Sequence, residues 1–469
     1  MGEPAEKAAI SGEDALLQSL RPWVSRTAGA EVRIAERLPT VRPAWKIWLT
    51  GTDSRAPSHV LRCGRPPEFG LSEYYSLERE AAIVRALHGA GMPVPALFGA
   101  VNDPEALLLE YLPGTSDFSV LQSDEKQRQR VVEHFMRLLA QIHNLSPARL
   151  GLEGALQVPR NPQDHAIFEL DIWEALYRKS ATVIDPLLAF SLRWLRARAP
   201  ESSVSVLVQG DTGPNQCLFN EQGITAVLDW ELAHLGDPME DLGWMAARSH
   251  FCNYGDLKQL FGYYAEHSGW PLESGKIHYY RVMALVKCAI ATGLARTSMG
   301  PQDDLASILS WDVVNRLSLT WSLLRAMGQP AAEKLPQDLG AGESAHTDLP
   351  DGRIYDVLSD LFREQAAVEG NLFQKMRLDG LAAVVRYLAV GATDGAAMAA
   401  ARRAEWAALE AKLRGGSGAA DDVVTLLERA DAAHDVDVAN YFHLQELRAM
   451  ALVEKSLGAR VSIRFDAFE

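Results

Sequence analysis

Short apolar stretches alternate with polar turns over the first hundred residues of the chain. Three of them, VRIAER (32–37), WKIWLTG (45–51) and SHVLRCG (58–64), are rich in β-branched and aromatic residues and are separated by Pro, Gly and polar segments. This pattern is typical of short antiparallel strands. A longer apolar stretch at 106–114 predicts a buried strand that runs into a Pro-Gly turn.

Helical spacing of apolar residues predicts two helices in the same region. Ser11 is expected to cap the first, and the second is expected to run from Ser72 to His88 and to end at Gly89 and Gly91. Strands and helices together predict a small α+β lobe.

Beyond residue 114 the pattern becomes mainly helical. Ser123 is expected to cap one long helix, and a second helical stretch covers roughly 170–198. Two short apolar runs, 204–211 and 224–230, interrupt the helices and predict strands. Helical spacing returns from about 237 to about 327.

A change in composition marks the end of this region. Residues 328–352 contain many Pro, Gly and polar residues, which indicates a linker. Helix-like segments follow at about 353–369, 371–390, 395–413 and 421–457. The predicted domains are therefore an N-terminal lobe at 1–113, a second lobe at 114–327, the linker at 328–352, and a helical bundle at 353–469.

Composition narrows the class of protein. Hydrophobic residues make up 48% of the 469 residues and the formal net charge is −15, which is typical of a globular protein and argues against a generic partner among nucleic acids or anionic membranes. The four cysteines are far apart, which disfavours a disulfide framework or a structural zinc site. With no recognisable signal or spanning segment, the expected location is the cytoplasm.

Two acidic residues stand where apolar runs end. Asp211 and Asp229 are eighteen positions apart in residues 206–243, so two hairpin-related strands would present their carboxylates to one point. Phosphoryl transfer needs such a pair, because one carboxylate positions and deprotonates the attacking hydroxyl and the other holds the metal ion that neutralises the phosphates. A turn-capping Asp is the alternative for either residue taken alone.

The whole segment resembles the aminoglycoside phosphotransferase and choline kinase family, relatives of protein kinases with the same two-lobed fold. The resemblance rests on four short motifs: Gln209-Gly210-Asp211, Asp229-Trp230-Glu231, Gly236-Asp237-Pro238 and Asp241-Leu242. The resemblance implies that Asp211 is the catalytic base and that Asp229 binds Mg²⁺. It also implies that Asp241 braces the catalytic loop through hydrogen bonds.

Two positions depart from the family pattern. Gln209 stands where His usually precedes Gly-Asp, and an amide can donate and accept similar hydrogen bonds that support the loop. The metal-binding Asn is expected at position 216, which is Gln216, whereas Asn215 lies one residue early. We expect Gln216 to bind the metal through its amide oxygen, with Asn215 as the alternative.

In the small lobe, the resemblance implies a basic residue that reaches the nucleotide phosphates and pairs with a helix glutamate. Arg62 takes the first position and Glu80, or alternatively Glu78, takes the second. Lys46 is a rival phosphate contact. The alternative for Arg62 and Glu80 is an exposed strand arginine and a solvated glutamate.

The remaining nucleotide contacts are less well marked. Glu110, Tyr111 and Leu112 fall where the hinge between the lobes would bind adenine through its backbone; the alternative is an ordinary strand end. The segment RLPTVRPAWK (37–46) lacks the small-residue run that usually covers the phosphates, so backbone contacts to phosphate are not expected there.

Several other side chains are candidates for a structural or a functional role. His143 is expected to be a core residue with hydrogen-bond partners. His234, Arg248 and His250 follow the second strand, where they would contact substrate or lie in a solvated loop. In the C-terminal segment, apolar faces that include Ile354 and Leu361 are expected to pack against other helices or on the kinase-like part.

These features predict a kinase that uses ATP or GTP with Mg²⁺ to phosphorylate a hydroxyl group of a small molecule. The resemblance allows hydroxyacyl-CoA thioesters, sugars, choline-like alcohols, and aminoglycosides or other antibiotics as acceptors. A metabolic acceptor is favoured over an antibiotic. The alternative function is that of a pseudokinase serving as a nucleotide- or partner-binding module, and self-association through 353–469 is a further expectation.

Overall fold

A computed structural model describes most of the chain. The described residues are 12–38, 40, 42–51, 55–64, 71–300, 303–336, 352–415, 422–457, 463–465 and 468. The predicted cap at Ser11 and most of the predicted linker, 337–351, lie outside them.

The strands and helices of these residues have the following bounds. The strands are β1 (Val32–Arg37), β2 (Ala44–Leu49), β3 (His59–Cys63), β4 (Leu97–Asn102), β5 (Glu105–Glu110), β6 (Val206–Val208), β7 (Cys217–Asn220), β8 (Gly223–Val227) and β9 (His234–Gly236). The helices are α1 (Gly12–Ala28), α2 (Leu77–Gly89), α3 (Glu125–His143), α4 (Pro147–Leu150), α5 (Asp164–Ser180), α6 (Pro186–Ala197), α7 (Pro238–Arg248), α8 (Leu257–Ser268), α9 (Ser274–Ser298), α10 (Leu305–Ala326), α11 (Gly352–Val368), α12 (Leu372–Arg414), α13 (Val423–Arg429) and α14 (Asp435–Ser456).

The chain divides into two compact units. The first contains Met1–Asn161, Ser203–Asp241 and Tyr254–Pro271, and the second contains Pro162–Ser202, Leu242–Asn253 and Leu272–Glu469. Residues of the predicted second lobe, 114–327, thus contribute to both units. The three predicted domain boundaries stay a prediction.

The first unit is built on a five-stranded antiparallel sheet. Its strand order is β1-β2-β3-β5-β4, which confirms the predicted meander and adds β4 at one edge. Apolar side chains of α1, among them Leu20 and Val24, pack with Trp45, Ile47 and Leu61 of the sheet in one buried cluster. The outward-facing residues of β3 therefore point away from α1, and Arg62 is one of them.

Two helices of the first unit begin later than predicted. The Ser76 side chain caps α2 by accepting a hydrogen bond from Arg79 N at 3.3 Å, so the helix begins at Leu77 and residues 71–73 form a separate 3-10 turn. Asp124, rather than Ser123, caps α3 by accepting from Gln127 N. Another residue able to cap a helix precedes each of these caps, Ser72 before Ser76 and Ser123 before Asp124, so composition alone did not select the capping residue.

The two short runs that end in Asp211 and Asp229 are not hairpin partners. β6 pairs with β9, and β7 pairs with β8, in separate two-stranded ladders. The prediction of hairpin-related strands was therefore wrong. A two-residue turn at Glu221 and Gln222 joins β7 to β8, so β8 takes its nearest neighbour along the chain.

The second unit consists of helices. The predicted stretch at 170–198 contains two helices, the end of α5 and the whole of α6. The chain breaks between them after Ser180, and the Asp185 side chain caps α6, which begins at Pro186. Apolar residues of α10 and α14, such as Leu317 and Leu447, lie in one buried cluster.

The C-terminal helices differ from the four predicted segments. The segments 371–390 and 395–413 form the single helix α12, with a bend of 57° between Gly395 and Ala397. The segment 421–457 is instead broken into α13 and α14 near Asp431, whose side chain caps a 3-10 turn. Helical periodicity reveals neither the continuity of α12 nor the break between α13 and α14, because the residues on both sides of each point are helical.

One predicted packing face of α11 is exposed. Ile354, Val357, Leu358 and Leu361 are between 40% and 55% exposed. The buried residues of α11 are instead Gly352, Ser359 and Ala366, seven positions apart, and Ser359 Oγ donates to Ala382 O of α12 at 3.3 Å. The expectation that the large apolar face packs within the chain was wrong, since small residues allow the closest approach to α12. Self-association through this segment stays a prediction.

No single helix in the described parts of the chain is long and apolar enough to cross a lipid bilayer. The two halves of α12 are long and apolar enough only when they are taken together as a bent pair, and this rests on length and composition alone.

Candidate active site

Arg62 connects two of the predicted site residues. From β3 its Nη1 lies 2.9 Å from Glu80 Oε1 of α2, and its Nη2 donates to Asp229 Oδ1 at 2.7 Å. Glu78 points to solvent, so Glu80 is the helix partner. Burial opposes the charge on the guanidinium, but Glu80 and Asp229 outweigh it and raise the pKa of Arg62.

A second arginine, Arg42, lies beside Glu80 as Arg62 does, and the sequence analysis did not identify it. Arg42 forms an ion pair with Glu231, and its Nη1 lies 3.7 Å from Glu80 Oε2. Arg62 Nη2 is also 3.9 Å from Glu231 Oε2. The position of Arg42 in the sequence could have indicated this role, because it lies in the segment before β2 that the sequence analysis compared with the phosphate-covering loop of the family.

The predicted base lies beside the predicted metal-binding amide. A 3-10 turn, Pro214–Gln216, follows Asp211, and Gln216 Nε2 donates to Asp211 Oδ2 at 2.6 Å. The neighbouring Asn215 faces differently, because its Oδ1 accepts a hydrogen bond from Tyr254 Oη at 2.7 Å. Tyr254 is a buried contact that sequence reasoning did not find.

Asp241 holds the loop that carries Asp211. Its carboxylate accepts hydrogen bonds from the backbone N–H groups of Gln209 at 2.9 Å and Gly210 at 3.1 Å, and from the Thr212 hydroxyl. Its fourth partner is the buried His143, whose Nε2 lies 3.0 Å from Asp241 Oδ2. Burial would raise the pKa of the Asp241 carboxyl, but these partners outweigh it and lower the pKa.

His143 is also held from its other side. Its Nδ1 lies 2.6 Å from the Tyr264 hydroxyl, so both ring nitrogens have partners, as expected for a core histidine. Burial raises the pKa of Tyr264, so this hydroxyl keeps its proton at neutral pH.

Gln209 links the loop of Asp211 to the loop of Asp229. Its Nε2 donates to the backbone carbonyl of Leu228 at 2.7 Å, immediately before Asp229. Two backbone conformations in the left-handed region support this arrangement: Gly210 has φ +81° and Asp229 has φ +59°. A Cβ at position 210 would lie 2.5 Å from Leu232 O, so only glycine fits there.

The predicted hinge residues use part of their backbone within the protein. Glu110 N donates to Ala96 O at 2.8 Å, and Tyr111 N donates to Ser58 O at 3.1 Å. Of the three predicted adenine contacts, Leu112 therefore becomes the best candidate for a backbone donor. Lys46 lies 3.4 Å from Glu36 Oε1 on the exposed part of the sheet, and no described contact joins it to Arg62 or Glu80.

The histidines after β8 are buried, so the solvated-loop reading was wrong for both. His234 Nε2 lies 3.0 Å from Glu240 Oε2. His250, in the second unit, is fully buried; burial and the nearby Arg281 hold its pKa well below the usual range. Arg248 is half-buried.

No group of three or more His, Cys, Asp and Glu side chains is placed to hold a metal ion within the described residues. A cation at this site would therefore need amide as well as carboxylate oxygens. Asp229 with Gln216 or Asn215 offers such hard oxygen donors, which Mg²⁺ accepts.

Comparison with known proteins agrees with this geometry. Residues 46–271, slightly less than half of the chain, match the model of the phosphotransferase enzyme family. The resemblance drawn from the motif is thereby confirmed.

Curated relatives are much longer proteins. Acyl-CoA dehydrogenase family member 10 of Mus musculus is 28% identical over 194 residues, covering 39% of this chain and 18% of that protein. Acyl-CoA dehydrogenase family member 11 of Homo sapiens is 26% identical over 238 residues, covering 48% of this chain and 29% of that protein. The chain thus spans less than a third of the length of these relatives.

A solved structure shares the fold. The crystal structure of a protein from Ralstonia eutropha, assigned as an aminoglycoside phosphotransferase, aligns with a TM-score of 0.52 at 19% identity and covers 67% of this chain and 99% of its own. At this identity the likeness establishes the two-lobed kinase-like fold alone.

Proposed function

We propose that the chain transfers the γ-phosphoryl group of ATP or GTP to a hydroxyl group of a small molecule. The observation that carries the proposal is the Arg62 guanidinium bridging Glu80 and Asp229, whose loop Gln209 joins to the loop of Asp211. The match of residues 46–271 to the phosphotransferase enzyme family supports the same reaction class.

Asp211 is the proposed base. Its carboxylate would orient the acceptor hydroxyl and accept the proton as the oxygen attacks phosphorus. The hydrogen bond from Gln216 Nε2 to Asp211 Oδ2 orients the carboxylate, and the Asp241 contacts hold its loop.

Asp229 and Gln216 are the proposed ligands of Mg²⁺. When bound, the ion would neutralise charge on the phosphates. Gln216 is preferred to Asn215 because the Asn215 oxygen already accepts from Tyr254, whereas Gln216 bonds Asp211 through its nitrogen and keeps its oxygen for a cation.

Arg62 is the proposed contact to the nucleotide phosphates, because its planar fork can bind two oxygens at once. Leu112, through its backbone, is the proposed contact to the base, next to Glu110 and Tyr111.

A hydroxyacyl thioester is the first acceptor to test. The relatives' names refer to acyl-CoA, which favours such a metabolite over an aminoglycoside, another antibiotic or a choline-like alcohol.

The test is transfer of labelled γ-phosphate from ATP and GTP to a panel of hydroxyacyl thioesters, alcohols, sugars and aminoglycosides with Mg²⁺. Asp211→Asn should lower turnover by about 10²- to 10⁴-fold and keep nucleotide affinity. Unchanged turnover in this variant would refute the role of Asp211.

The same experiment decides the alternative function. Gln209 and the early Asn215 favour a nucleotide-binding module without catalysis. Magnesium-dependent stabilisation by nucleotide without transfer to any acceptor would support that module, and the absence of nucleotide binding would overturn both functions.

A further inference from the structure

Five charged side chains form one cluster in the first unit. Arg42 and Arg62 supply the positive charges, and Glu80, Asp229 and Glu231 supply the negative charges. With all five groups ionised the cluster carries one net negative charge. The side chains of Arg42, Glu80 and Glu231 are each less than 10% exposed.

Each carboxylate of the Asp229-Trp230-Glu231 segment is held by its own guanidinium group. Arg62 donates to Asp229, and Arg42 pairs with Glu231. Glu80 lies between the two arginines, 2.9 Å from Arg62 Nη1 and 3.7 Å from Arg42 Nη1. Arg42 and Arg62 thus each lie beside Glu80 and beside one carboxylate of this segment, although only Arg62 matches a family motif.

Arg42 belongs to the segment that precedes β2. The segment before β2 lacks the small residues whose backbone N–H groups would surround phosphate oxygens. A guanidinium group offers five N–H donors in a planar fork, so a single arginine can take over this task.

We propose that Arg42 is a second phosphate-binding residue of the nucleotide site, which exchanges the Glu231 carboxylate for a phosphate oxygen when a nucleotide enters with its divalent cation. The inference rests on the proposed function. The exchange is electrostatically balanced: the phosphates replace Glu231 as the anion beside Arg42, and the cation compensates the carboxylates that the arginines leave.

The experiment measures the dissociation constants of adenosine, AMP, ADP and ATP, and of guanosine, GDP and GTP, by calorimetry, with Mg²⁺, for the full chain. The variants are Arg42→Met, Arg42→Lys and the control Arg85→Met, which changes an exposed arginine of α2. Unfolding temperatures are recorded for each variant, because removing one member of a buried charge cluster also affects stability.

Arg42→Met should weaken ATP and ADP about ten- to a hundredfold, as expected for loss of a hydrogen bond between charged groups, and should change adenosine less than about twofold. Arg42→Lys should fall between Arg42→Met and the wild type, since it keeps the charge but not the fork. Arg85→Met should leave the whole series unchanged.

Each other outcome is decisive. Equal weakening of adenosine and ATP would mean that Arg42 only supports the loop, and unchanged ATP affinity would mean that Arg42 stays on Glu231; either overturns the inference while leaving the proposed function intact. Failure of the wild type to bind any nucleotide would instead overturn the proposed function. If Arg42→Met does not fold, the ratio of ATP to adenosine affinity in Arg42→Lys decides in the same way.

Discussion

His143 Nε2 lies 3.0 Å from Asp241 Oδ2, although the two residues are 98 positions apart in the sequence. Asp241 in turn accepts hydrogen bonds from the backbone of Gln209 and Gly210. The position of the proposed base thus depends on a buried carboxylate. We therefore expect the free energy of unfolding to depend on whether Asp241 is ionised.

We expect Asp241 to contribute to acid sensitivity. Its pKa is lowered in the folded protein, so its contribution is complete above the unfolded pKa of about 3.9 and is lost as the pH falls through the lower folded value. Asp241→Asn should unfold at lower urea concentration than the wild type at pH 7, and the difference should shrink as the pH falls from about 4 to about 3. A constant difference over that range would contradict this role.

Gly210→Ala should destabilise the protein by about 2–4 kcal/mol, because the new Cβ meets the Leu232 carbonyl and the backbone is left-handed. The matched control is Gly262→Ala in the middle of α8, where a Cβ meets nothing within 4 Å. That change should stabilise by about 0.5–1 kcal/mol through helix propensity. Denaturant unfolding measures both, and effects of the same sign would contradict the argument.

Gln216→Ala should raise the Mg²⁺ concentration needed for nucleotide-induced thermal stabilisation about tenfold or more, since it removes a proposed ligand. The control is the double variant Asn215→Ala with Tyr254→Phe, which removes the other amide together with the hydroxyl that it accepts from. The control should keep the wild-type Mg²⁺ dependence. The reverse result would assign the metal to Asn215.

Arg316 is a stability element of the second unit. It lies 2.9 Å from the buried Glu446 and also pairs with Asp185; burial raises the pKa of Glu446 even so. Arg316→Met should cost about 3–5 kcal/mol, because it leaves a buried carboxylate without its partner. The surface pair of Arg363 and Asp360 is about half exposed, so Arg363→Met should change the free energy of unfolding by less than about 1 kcal/mol. Equal effects in urea unfolding would refute the distinction.

Helix and strand patterns were predictable where they depend on neighbouring residues. The strands around 32–63 follow from alternation of apolar and polar side chains, and the structure has them within one or two residues. The outer face of α11 shows the limit of this reasoning. Its large apolar residues have the spacing of a buried face, yet its buried residues are the small Gly352, Ser359 and Ala366, and Ser359 donates a hydrogen bond to Ala382 of α12. Periodicity identifies an apolar face but not the surface that covers it.

The sequence by itself indicated the resemblance to the phosphotransferase family and the candidate site residues, because Asp211, Asp229 and Asp241 lie in one short segment with a recognisable pattern. Only the tertiary structure decided which charges meet. Arg62 and Asp229 are 167 positions apart, and Arg42 comes from a segment with no motif, so their contact with Asp229 and Glu231 depends on how the sheet, α2 and the loop after β8 pack together. Local sequence governs short-range geometry, whereas ion pairs across the fold depend on burial and on the folded path of the whole chain.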